Sequence, residues 1–183
     1  MIHEFCPKIR SIIKVSAVIL VLLIPLISRA QQPPTDDAPT KLLDHLAGRW
    51  VMTGTLGNKR TTHEVDAEWV LKHEYLRFYE VSRDKEASGR PAYEAIVFIS
   101  VDPKTNEYAC LWLDNTAGGG LSLIARGKKT GNSIPLVFTL SQRESLHTTF
   151  RYDARTDTWQ MTIDDVTDGK ADRFGDVRLA HAR

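Results

Sequence analysis

The chain has 183 residues, with 24 basic and 23 acidic side chains and a formal charge of +1. The charges are mixed along the sequence and form no basic block, which argues against a nucleic-acid footprint and against a polybasic membrane contact. Two cysteines, Cys6 and Cys110, are too few for a disulfide framework or a cysteine-based metal site.

The first segment reads as a targeting signal. Lys8, Arg10 and Lys14 precede the apolar run Val15 to Ile27, and Ser28-Arg29-Ala30 offers small residues for cleavage after Ala30. The run has 13 residues, whereas a helix needs about 20 to span hydrocarbon. Residues 1–30 are therefore expected to be a cleaved signal peptide, with export to the periplasm or beyond and no integral membrane span afterwards. Cleavage would leave 20 basic and 22 acidic side chains, a balance of −2. Cys6 leaves with the signal, and Cys110 is expected to be a small buried apolar residue. Residues 31–40, "QQPPTDDAPT", are polar, proline-rich and aperiodic, and read as a disordered linker. Residues 41–183 are the right length for one domain.

One helix is predicted, over 41 to 47. Thr40 can cap it, Leu42, Leu43 and Leu46 share a face, and Gly48 can end it. Everything after it alternates with the period of a strand. Trp50, Met52 and Leu56 form one face of the first strand. His63, Val65, Ala67, Trp69 and Leu71 form one face of the second. "EYLRFYEVSR" is a third strand whose inward face the pattern leaves open. "AYEAIVFISV", "EYACLWLD", "GLSLIARG", "SIPLVFTL", "SLHTTFRY", "TWQMTIDD" and "RFGDVRLAHA" complete a set of about ten. Asp102 and Thr105, like Asp153 and Thr156, sit three apart between two such runs and predict tight hairpins closed by side-chain acceptors.

The connections are short and rich in Gly, Asp, Asn and Pro, and none can hold a crossover helix, so successive strands must pair antiparallel. The predicted fold is all-β: an up-and-down barrel of about ten strands with a short N-terminal helix closing one end. A two-sheet sandwich is the alternative arrangement of the same meander. In the barrel, Gly48 turns the chain into the first strand and Trp50 plugs the floor.

The start Leu46-x-Gly48-x-Trp50, followed by an all-antiparallel chain, resembles the calycin superfamily of lipocalin-like barrels. The stretch from "HLAGRW" through "AEWVL", "YEAIVF" and "LWLD" is similar, more narrowly, to an exported bacterial lipocalin-like family of unknown function. The resemblance covers residues 41–183. It implies a cavity for a small molecule, and a basic side chain near the C-terminus covering the tryptophan. Arg178 matches that residue by position, with Arg183 as the second choice.

The candidate site residues are polar or aromatic side chains in apolar company: His63, Trp69, Arg77, Glu94, Trp112 and Asp114. A carboxylate turned inward needs a partner, and Arg77 or His63 can supply one. Gathered at the barrel mouth beside the glycines 118–120, these residues would read a ligand's polar end above an aromatic wall. An acid–base pair of His63 with Glu94 or Asp114 is the enzymatic alternative, and a packed interaction module without a ligand is a third. There is no nucleophile elbow, metalloprotease helix, phosphate loop or dinucleotide fingerprint. No metal or cofactor is expected. Haem would need His147 or His181, and no spacing supports either. The expected partner is a small, mainly hydrophobic molecule. The sequence does not specify catalysis or the oligomeric state.

Overall fold

The computed structural model describes residues 38–116 and 120–183. The expected signal peptide, most of the expected linker, and Gly118 and Gly119 lie outside the described residues. The elements are α1 (Pro39–Asp44), β1 (Gly48–Leu56), β2 (Lys59–Val70), β3 (Tyr75–Ser82), β4 (Glu94–Val101), β5 (Glu107–Asp114), β6 (Ile124–Lys128), β7 (Ser133–Thr139), β8 (Glu144–Asp153), β9 (Thr158–Thr167) and β10 (Lys170–His181). Each strand pairs antiparallel with its neighbours in sequence, and β1 pairs with β10 to close the barrel. The seam runs from Trp50↔His181 to Leu56↔Gly175. The sandwich arrangement is thereby excluded, because no strand is left with an unpaired edge.

Alternation sorts each strand into an inner and an outer face. Trp50 and Met52, then His63, Val65 and Ala67, then Leu76, Phe78, Glu80 and Ser82, are buried inside. Ala95, Val97 and Ile99 continue the interior through β4, and Tyr108 and Cys110 through β5. The far wall is Ile134, Leu136, Phe138, Phe150, Trp159, Met161, Val177 and Leu179. Burial pushes the Cys110 thiol well above its ordinary range and leaves it unreactive. The two Asp-Thr hairpins form as their sequences require: Asp102 Oδ1 accepts from the Lys104 N–H at 2.8 Å and Asp153 Oδ1 from the Arg155 N–H at 3.0 Å.

The helix differs at both ends. Pro39 occupies the first turn, Ala38 is the cap without a side-chain bond, and the helix stops at Asp44 with His45 as its C-cap. Thr40 therefore lies inside the helix: proline's fixed φ suits the first helical position and sets the start two residues earlier. No helix among the described residues is long and apolar enough to cross a membrane.

α1 and the turn after it lie under one end of the barrel, held there by ring tips. Trp50 Nε1 donates to the Leu46 carbonyl at 2.9 Å, Trp159 Nε1 to the His45 carbonyl at 3.1 Å, and the Tyr108 hydroxyl to the Pro39 carbonyl at 3.1 Å. Trp69 Nε1 donates to Asp44 Oδ1 at 2.9 Å. The His45 and Leu46 carbonyls lie in the turn past the helix, where no further helical turn supplies N–H partners. Leu42, Leu43 and Leu46 fill the space between. Gly48, at φ 141°, allows the turn from helix to β1 that brings Trp50 underneath.

The residue covering Trp50 is His181, whose ring stacks on the indole at 4.0 Å between centroids and whose Nε2 meets Asp157 Oδ2 at 2.9 Å. Arg178 lies on the outer face beside Thr158, 3.2 Å from its hydroxyl. Alternation explains the difference: Val177 and Leu179 point inward, so Arg178 between them must point out. The seam register then sets His181 opposite Trp50.

Candidate functional site

The barrel is packed at the helix end and hollow at the other. A cavity of about 610 Å³ opens between the loops that join β1 to β2, β3 to β4, β5 to β6 and β7 to β8. Trp112, Phe138, Leu146, Met161 and Ile163 make its apolar wall, while His63, Glu80, Tyr93 and Asp114 are set into one side. Two other hollows, of about 690 and 710 Å³, lie mainly against outward-facing polar residues such as Glu64, Arg83, Arg151 and Gln160 and do not enter the barrel.

The polar side is one connected cluster. The His63 ring is 3% exposed and Glu80 is 1% exposed. His63 Nδ1 is hydrogen-bonded to Glu80 Oε1, and its Nε2 meets the Thr61 hydroxyl at 2.5 Å. Tyr93 stacks on His63 at 5.6 Å between centroids. The Tyr93 oxygen accepts from Trp112 Nε1 at 3.0 Å and its hydroxyl reaches Asp114 Oδ2 at 3.4 Å. Asp114 Oδ1 in turn takes the Thr116 N–H at 2.9 Å and the Thr116 hydroxyl at 2.5 Å. Glu80 Oε2 is buried and has no hydrogen-bond partner among the described residues.

Burial raises the Glu80 carboxyl above its ordinary value; the bond and charge of His63 work against that shift, and the Asp114 charge adds to it. Burial also raises the Tyr93 hydroxyl, with the Glu80 charge second, so it stays protonated. The Glu80 shift fixes a sign for stability. Above the ordinary carboxyl value of 4.5, the native state holds a proton that the unfolded chain releases. Stability therefore falls as pH rises, until the folded carboxyl has ionised. Urea unfolding over a pH series should show this loss in the protein relative to Glu80→Gln. A difference that is flat, or grows, above 4.5 would contradict it.

Of the six residues singled out by sequence, the structure brings three into the cavity wall: His63, Trp112 and Asp114. Trp69 points inward but at the opposite end, where it is bonded to Asp44 and stacked on His73 at 4.0 Å. Arg77 and Glu94 lie on the outer face. Arg77 Nη2 pairs with Glu68 Oε1 at 2.8 Å, and Glu94 accepts from the Tyr79 hydroxyl. In β4 the alternation with Ala95, Val97 and Ile99 inside puts Glu94 with Ile96 outside, where Ile96 is 39% exposed. The apolar look of that outer face made both faces of β4 plausible interiors. Leu71 is likewise outside, 71% exposed in a turn where Leu71, Lys72 and His73 all have positive φ.

Sequence reasoning missed Glu80, Tyr93 and Thr61. Glu80 continues the Leu76, Phe78 alternation of β3, but Tyr75, Tyr79 and Val81 make the other face as apolar and left the inward face open. Tyr93 continues the Ala95, Val97, Ile99 face of the strand predicted for "AYEAIVFISV", but the equally apolar face of Ile96 and Phe98, which carries Glu94, hid it. Gly120 is at φ 56° in the turn region beside the mouth, a conformation natural to glycine. His147 is on the outer face, 3.0 Å from the Ser145 hydroxyl. His181 is at the closed end, on Trp50. No group of three or more potential metal ligands forms among the described residues.

Neither a protein-family model nor a curated protein matches the sequence.

Proposed function

We propose that the chain is an exported, calycin-like binding protein that holds a small, mainly hydrophobic molecule in the open half of its barrel. The observation that carries this reading is the uneven interior. One end is filled by Trp50, Trp159, Tyr108, Leu43 and Leu46. The other keeps a cavity of about 610 Å³ with an apolar wall, within the size of ligand sites, roughly 300–1,000 Å³. A chain that needed only a packed module would gain by filling that space. The lipocalin-like assignment is supported by the Gly48-x-Trp50 plug and the closed meander. Export is supported by the expected signal peptide.

The neutral dye N-phenyl-1-naphthylamine should brighten on binding. Leu146 faces the cavity and is half-buried, so Leu146→Trp should fill the space and weaken dye binding about tenfold or more, with the far-ultraviolet circular dichroism unchanged. Dye binding that survives this change would place it elsewhere. Native mass spectrometry of the protein from its own host would then identify the natural occupant.

A second reading has one observation in its favour. Thr61, His63 and Glu80 form a hydroxyl–imidazole–carboxylate chain in the order used by nucleophilic hydrolases. A barrel enzyme would use His63 as its base. Turnover of a bound ester that Thr61→Ala abolishes, without loss of binding, would favour it over simple binding.

A further inference from the structure

We infer that the ligand enters with a hydrogen-bond-donating cationic head, a protonated primary or secondary amine, attached to an apolar body, and that Glu80 receives it. This inference rests on the reading of the cavity as a binding site.

The argument begins with which groups of the cluster are already committed. Both ring nitrogens of His63 are engaged, one by Glu80 and one by Thr61. The Trp112 N–H is given to Tyr93, and the Tyr93 hydroxyl points to Asp114. These donors have nothing left to offer a ligand. The buried group left unsatisfied is an acceptor, set among the Ser82 and Thr148 hydroxyls that also line the cavity. Glu80 Oε2 is buried without a partner among the described residues, while Oε1 takes the His63 bond. Where Nδ1 and Oε1 share a single proton, Oε2 is left as an acceptor. A buried acceptor left open is costly, and an arriving donor relieves that cost.

Charge narrows the donor to a cation. Lys59 and Arg60 also line the cavity, but both are exposed at its rim. The carboxyls drawn back from solvent are Glu80, buried, and Asp114, half-buried. The Asp114 charge works against ionisation of Glu80, so the two repel, and a cation beside them relieves both. Asp114 also has spare accepting capacity, since its Oδ2 has only the long 3.4 Å bond from Tyr93. The rings of Trp112 and Tyr93 next to these carboxyls suit an ammonium in the same way. The wall of Phe138, Leu146, Met161 and Ile163 takes the apolar body. A fatty acid would set a third carboxylate against the other two.

The test is displacement of N-phenyl-1-naphthylamine from the full-length protein at neutral pH by three probes with one body: decylamine, decanol and decanoate. Decylamine should compete about tenfold or more better than decanol, as expected for a charge-assisted bond, with decanoate weakest. Glu80→Gln, which keeps the shape of the side chain, should bring decylamine to the level of decanol. Because that variant can also disturb the fold, Asp114→Asn at the half-buried end of the cluster gives a second reading and should reduce the amine preference alone. If the dye binds and the three probes compete equally, decanoate competes best, or none competes, the head-group assignment is wrong while the cavity remains a binding site. If the dye itself does not bind, both fall together.

Discussion

Trp50→Ala should unfold the protein more readily than truncation of any cavity-lining aromatic. The ring is fully buried, its N–H is bonded to the Leu46 carbonyl, and the His181 ring covers it. Truncation removes on the order of 150–250 Å² of buried surface and leaves a hole beneath the helix, which costs about 3–5 kcal/mol. It also frees a carbonyl at the helix end. A domain of this size has roughly 5–15 kcal/mol in total, so urea unfolding should show a large drop in midpoint. Trp50→Phe keeps most of the ring and loses the hydrogen bond, and should cost about 1–2 kcal/mol. Trp112→Ala, at the wall of an already open cavity, should cost less than Trp50→Ala because little new void is made. Equal losses at Trp50 and Trp112 would show that the two ends of the barrel are not packed differently. That result would remove the argument that one end is reserved for a ligand.

The contrast between the two ends is also where the sequence was readable and where it was not. Closure was legible because it follows from connection lengths. No link can carry a helix, so neighbours pair, and an unpaired edge on either side is a liability that the β1–β10 seam removes. Trp50 was legible because glycine followed by a large ring at a strand start leaves few places for the ring to go. The faces of β3 and β4 were not legible. In β4, Ile96 and Phe98 outside are as apolar as Val97 and Ile99 inside, so period-two alternation gives no contrast. Glu94 was therefore assigned to the interior and Glu80 overlooked. The seam register decided the last case. Alternation alone turns Arg178 outward, but which inward-facing side chain covers Trp50 depends on how β10 slides along β1, a long-range choice. The helix-end role of Trp69 is of the same kind: its partner Asp44 is 25 residues away, and only the folded floor brings them together.

His63→Leu should be the other large perturbation, and its interpretation depends on a companion variant. Removing the imidazole leaves Glu80 buried with neither oxygen bonded by the cluster, since Oε2 already has no partner among the described residues. Breaking one side of a buried pair in this way costs about 3–5 kcal/mol, in part because the carboxyl must take up a proton to remain inside. Glu80→Leu alone leaves an imidazole still bonded to Thr61, and should cost less, about 1–3 kcal/mol. The double change His63→Leu with Glu80→Leu replaces the pair by apolar side chains of similar volume. Its stability should return to within about 1–2 kcal/mol of the parent or exceed it, because replacing both partners of a buried pair is often neutral or stabilising. Chemical denaturation of the four proteins gives the coupling directly. A recovery of stability in the double variant, joined to loss of amine preference in the dye displacement, would mean that the pair is kept for what it contacts in the cavity. A double variant as unstable as His63→Leu alone would mean instead that the pair holds β2 against β3, which meet at His63↔Ser82 and Val65↔Glu80. The unpartnered oxygen would then be a tolerated defect of the core and not an acceptor waiting for a ligand.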